Sequence, residues 1–104
     1  MTQEQLARFK EILLNRKKKV EEEIEQILKE LDELITYDAL DDIEDLAQIE
    51  TIEDSDKALL AHLLQERKAI EKALKRIEEG TYGRCKDGSE IPLQKLQADP
   101  LYEC

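Results

Sequence analysis

The chain has 104 residues, with 26 acidic against 16 basic side chains, a net charge of -10 and 40% charged residues. That length holds one small domain at most, and the enrichment in Glu, Lys, Leu, Ile and Ala points to long helices rather than a many-stranded sheet. The acidic balance argues against direct binding of DNA or RNA, which draws its free energy from counterions released by a basic surface.

No run of about 18 apolar residues is available to span a bilayer. The N-terminal stretch MTQEQLARFK lacks the apolar core of a secretory signal. The expected compartment is the cytoplasm, where Cys85 and Cys104 should be reduced thiols rather than a disulfide.

Thr2 followed by Gln5 reads as a capping box, with Glu4 favourably placed in the first helical turn. Leu6, Phe9, Leu13, Val20, Ile24, Ile27, Leu31 and Leu34 then recur mostly in steps of three and four. The spacing predicts a first helix over about residues 3–36, roughly 50 Å long. Arg16 occupies a seam position where a leucine is expected, and the steps of four on either side of Val20 form a stutter in the heptad.

Residues 36–45 break the pattern and are rich in Asp, which favours turns over helix interiors. Ile52, Leu59, Leu63, Ile70, Ala73 and Ile77 restore it, with Leu60, Leu64 and Leu74 widening the stripe, so a second helix is expected over about 47–79 with Gly80 as its stop. Two such helices joined by a short turn run antiparallel and bury their stripes on each other. A turn centred near residue 42 would bring Arg16 close to Glu66 as an ion pair that sets register. The expected fold is all-α: a long antiparallel two-helix coiled-coil hairpin over residues 1–80, its tip near 37–47, followed by a small C-terminal module over 81–104.

Residues 37–56 hold nine acids and no base. Such a segment is either a solvated loop or an acidic probe for a basic, metal-containing site, where carboxylates bind or reposition Mg²⁺. The basic run Arg16-Lys17-Lys18-Lys19 reads as a solvated helix face. Cys85 and Cys104 are candidate metal ligands with the spacing of the two halves of a zinc site, and Asp87 or Glu103 could serve as makeshift oxygen ligands. Structural zinc needs four ligands, so two of four cysteines argue against a bound cofactor. No phosphate loop, nucleophile elbow or Cys–His adjacency supports an enzyme.

The segment from Ala73 to Cys85, ending Glu79-Gly80-Thr81-Tyr82-Gly83-Arg84-Cys85, then Glu90-Ile91-Pro92, Lys95-Leu96-Gln97-Ala98-Asp99-Pro100 and Cys104, resembles the DksA/TraR family of bacterial RNA polymerase regulators. The family pattern is a helix ending in an aromatic-Gly-x-Cys-x-x-Cys-Gly turn, then Ile, Arg/Lys-Leu-x-Ala-x-Pro and a second Cys-x-x-Cys. The stretch Asp42-Ile43-Glu44-Asp45-Leu46-Ala47 fits the family's Asp-x-x-Asp-x-Ala hairpin tip. The resemblance implies a regulator that binds RNA polymerase directly and inserts its tip into the secondary channel. Asp42 and Asp45 would be the functional carboxylates, and Ala47 would pack beside mobile catalytic elements. It implies modulation of initiation without sequence-specific DNA contact, membrane or enzymatic activity.

The sequence departs from that pattern. Cys85-Lys86-Asp87-Gly88 lacks the second cysteine and is one residue short, the spacing from Pro100 to Cys104 is also one residue short, and the fourth cysteine and terminal helix are missing from the sequence. The module is thus expected as a degenerate zinc finger held by Tyr82, Ile91, Leu93 and Leu96 packing on the hairpin base. A guanosine tetraphosphate response is not carried over, because the chain starts almost at the first helix. Two other readings stand beside this one: a structural or adaptor coiled coil that recruits a partner helix, and a Gre-like transcript-cleavage helper that lends a carboxylate to metal-assisted hydrolysis. The finger-like tail argues against the latter.

Overall fold

The computed structural model describes residues 1–30 and 53–104; the expected tip near 37–47, with Asp42, Asp45 and Ala47, lies outside the described residues. Among the described residues three helices are seen: α1 (Gln3–Glu30), α2 (Asp54–Glu79) and the short α3 (Leu93–Ala98). Among the described residues there is no strand, only an isolated antiparallel bridge between Arg84 and Glu90. No helix among them is long and apolar enough to cross a membrane.

The capping box forms as expected. The Thr2 amide donates to Gln5 Oε1 at 3.0 Å and the Gln5 amide donates to Thr2 Oγ1 at 3.1 Å, while the Leu6 amide takes the Thr2 carbonyl at 3.0 Å. Two of the orphan donors at the helix start are thereby satisfied by side chains. The second helix begins later than its periodicity suggests: Glu53 is outside it, and α2 starts at Asp54 with Asp54 and Asp56 in its first turn. Carboxylates there meet the positive end of the helix dipole, which favours a start at this point.

The chain divides into two compact units, one made of Met1–Lys17 with Ala69–Cys104 and the other of Lys18–Lys68. In the first unit, the early part of α1 packs against the late part of α2. Lys17 Nζ lies 3.6 Å from Glu71 Oε1, while Phe9 meets Tyr82 with ring centroids 5.7 Å apart, so the two segments run antiparallel. Phe9, Leu13, Ile70, Ala73, Tyr82, Ile91 and Leu96 are its buried core. The second unit buries Val20, Ile24 and Leu28 from α1 with Leu60, Leu63 and Leu64 from α2. Arg16 and Glu66 belong to different units; the cross-helix ion pair described in the first unit is Lys17–Glu71.

The buried stripe agrees with the expected one at Phe9, Leu13, Val20, Ile24, Leu63, Ile70 and Ala73 and departs from it at Ile27 and Leu59. Leu28 is buried in α1 while Ile27 is half-buried, and in α2 Leu59 is 48% exposed while Leu60 is 0% exposed. The buried residues of α2 are Leu60, Leu63, Leu64, Arg67, Ile70 and Ala73, spaced mostly by three and four, with Leu74 and Ile77 half-buried beside them. This register puts Arg67 on the seam. It is the one buried charged side chain among the described residues, it is partnered, and none of their buried side-chain polar atoms lacks a hydrogen bond. The aliphatic stem of arginine covers apolar surface while the head finds its partners.

This phase predicts unequal costs for two adjacent truncations. Leu60→Ala should lower the unfolding free energy by about 3 kcal/mol, within the range for emptied core sites, whereas Leu59→Ala should change it by less than about 0.5 kcal/mol. Urea unfolding followed by circular dichroism checks this, and equal losses would contradict the described seam.

Candidate functional site

The motif residues from Ala73 to Cys104 lie in the first unit, at the end of α2 and beyond it. Gly80 stops the helix with φ +77°, a left-handed conformation that favours glycine. The Gly80 amide donates to the Ile77 carbonyl at 3.3 Å and the Thr81 amide donates to the Arg76 carbonyl at 2.9 Å, the paired bonds of a Schellman stop. The reversal brings Tyr82 back to the helices, where its ring packs on Phe9.

Gly83 comes next, with φ +84°, buried beneath Met1 and Leu96; a Cβ at this position would collide with the Met1 side chain. From Gly83 the chain makes a narrow reversal. The Ile91 amide donates to the Gly83 carbonyl at 2.8 Å and the Cys85 amide donates to the Ser89 carbonyl at 2.8 Å. Between them, the Gly88 amide donates to the Cys85 carbonyl at 3.0 Å, and Gly88 has φ +88°. Asp87 braces this turn by accepting from the Ser89 amide at 3.0 Å and the Ser89 hydroxyl at 2.6 Å, and these bonds hold its carboxyl below the usual aspartate value.

Pro92 leads into α3, which seats Leu96 at 0% exposure in the core. Asp99 then caps the exit: its amide donates to the Lys95 carbonyl, and its carboxylate accepts from the Leu101 amide at 3.1 Å. The Tyr82 hydroxyl donates to the Pro100 carbonyl at 2.8 Å, tying the start of the tail to its end. Burial, with the Asp99 carboxylate adding to it, pushes the Tyr82 phenol up to about 12.

Glu103 returns the chain to α2. Its carboxylate lies 2.8 Å from the Arg76 guanidinium and 3.6 Å from Lys72 Nζ. Cys85 and Cys104 are disulfide-bonded with Cα atoms 5.3 Å apart, a separation within the ordinary disulfide range. This corrects the expectation of two reduced thiols. The turn after Ala98 carries the chain back to the Cys85 reversal, a proximity that compartment arguments do not address.

Of the residues expected to pack the tail, Tyr82, Ile91 and Leu96 are buried and Leu93 is half-buried. Asp87 and Glu103, the makeshift oxygen ligands, are engaged by Ser89 and by Arg76 and Lys72. Among the described residues no group of three or more His, Cys, Asp or Glu side chains could hold a metal ion. The donor set is therefore two sulfurs, and it does not fit four-coordinate zinc. His62 is exposed on α2. Sequence reasoning missed the Glu103 clamp and the Asp87–Ser89 brace; the second was signalled by Asp-Gly-Ser following a cysteine, a turn-forming string.

The chain matches no protein-family model, no curated protein and no solved structure.

Removing the Tyr82 hydroxyl has two expected consequences. Tyr82→Phe should cost about 1 kcal/mol through loss of the bond to Pro100. Because the folded state holds the Tyr82 proton more tightly than the unfolded chain, its contribution to stability is complete below pH 10 and declines as pH rises toward about 12. The difference in unfolding free energy between wild type and variant, measured by chemical denaturation across that window, should shrink with rising pH.

Proposed function

We propose that the chain is a bacterial transcription regulator that binds RNA polymerase and delivers the carboxylates of Asp42 and Asp45 through the secondary channel to modulate initiation. The observation that supports this reading most is the agreement between the motif and the roles of its residues. Gly80 ends the helix, Tyr82, Ile91 and Leu96 fill one core, Pro100 accepts the Tyr82 hydroxyl, and Cys85 lies beside Cys104.

In this reading the protein is a long antiparallel coiled-coil hairpin with a degenerate finger at its base, and it acts as a binding protein rather than an enzyme. Its net charge of -10 steers it toward a channel lined by basic residues, which raises the association rate at low salt. Packing along the helices then sets how long it stays. Asp42 and Asp45 reposition a metal or its water ligands near the catalytic centre, and Ala47 packs beside the moving elements there.

Binding to purified RNA polymerase core enzyme, together with open-complex lifetime at a ribosomal promoter, tests the proposal. Wild type should bind and change that lifetime, while Asp42→Asn/Asp45→Asn should bind with similar affinity and leave it unaltered. No binding by wild type would refute the polymerase reading and favour the adaptor coiled coil.

A further inference from the structure

The motif resembled by the tail implies zinc, yet the residues present do not make a zinc site. The disagreement begins inside the first half of the finger, where one cysteine stands and the position of a second falls on Asp87 and Gly88. Those two residues already close the turn: Gly88 donates to the Cys85 carbonyl, and Asp87 is held by both donors of Ser89. The reversal that a metal would organise is thus formed by hydrogen bonds. What it lacks is a fastening to the far end of the tail.

We infer that the Cys85–Cys104 disulfide supplies that fastening in place of zinc, and that a low-molecular-weight thiol–disulfide couple opens and closes it as a switch on the end of the tail. Cys104 is exposed and Cys85 half-buried, so the sulfurs are open to attack from solution. In closing, the Cys104 thiolate attacks one sulfur of an external disulfide and expels a first thiol. Cys85 then attacks the Cys104 sulfur of the mixed disulfide and expels the second thiol. The cysteine pair gives up two electrons and two protons, and the external disulfide takes them up as two thiols. Opening is the reverse exchange.

The consequence of opening is local. Residues as far as Pro100 stay fixed by the buried Leu96 and the Tyr82–Pro100 bond. Beyond them, the attachments to the helices are the ion pairs of Glu103 with Arg76 and Lys72, whose side chains are 26% and 60% exposed, and the contact of Lys95 Nζ on α3 with the Tyr102 hydroxyl and ring. Exposed ion pairs hold a chain weakly. Leu101 and Tyr102 bond only back to Asp99 among the described backbone partners. Without the disulfide this last stretch opens far more often than the core.

The test uses the whole chain without polymerase, so its outcome is independent of the proposed function. Protein reduced with a phosphine is equilibrated with excess glutathione disulfide, and thiols, mass and amide exchange are followed. The expected result is loss of both thiols and of two hydrogens, no retained glutathione, and exchange at Leu101 and Tyr102 roughly tenfold slower than in the reduced chain. Cys85→Ser should exchange at the reduced rate under both conditions, and a chelator should change nothing. Stable glutathione adducts without an internal bond would overturn the switch, as would equal exchange in the two redox states. If zinc bound the reduced chain one to one and restored slow exchange, the metal would be the fastening and the inference would fail.

Discussion

Everything beyond α2 depends on the way that helix stops. A left-handed residue at position 80 turns the chain back on the helix it has just left, and the carbonyls exposed by the stop are taken by the amides of Gly80, Thr81 and Tyr82. Tyr82 then has one position available to it, with its ring on Phe9 and its hydroxyl on Pro100. From this point the tail has no need of a large core. Its apolar residues use the ends of the two long helices as a floor, which is how so short a segment avoids the surface-to-volume penalty of a separate domain.

The long helices meet a different constraint, that of alignment. A seam of leucine and isoleucine alone tolerates sliding by a heptad, because each shift replaces one aliphatic contact by another. Arg67 interrupts that apolar seam in the second unit with a buried, partnered guanidinium. In the first unit the ion pair of Lys17 and Glu71, on the flank of the two helices, fixes their alignment only weakly.

The parts of this structure that were legible in the sequence are those governed by neighbours in the chain. Thr2 and Gln5 announce the first helix because both capping partners lie within one turn, and Gly80 announces the end of the second because the left-handed stop favours glycine. The phase of α2 was harder to read. Leu59 and Leu60 are adjacent and chemically alike, and the inward position between Leu63 and Ile70 is filled by Arg67, a charged residue that apolar periodicity does not register. The disulfide was hidden for another reason. Composition argues about compartments, whereas the meeting of Cys85 and Cys104 depends on Pro92, α3 and the Asp99 turn acting together. The acidic stretch that carries Asp42 and Asp45 lies outside the described residues.

The bond between Cys85 and Cys104 also makes a covalent ring, with its two ends 19 positions apart in sequence. Lys86 and Lys95 lie within that ring. A protease that cuts after either one severs the backbone without releasing a fragment, because the two pieces remain joined through sulfur. Cleavage of the oxidised protein at these sites therefore leaves the mass of the joined chain increased by one water, and the pieces separate only after reductant is added. The same nick in the reduced chain leaves the pieces linked by noncovalent contacts alone.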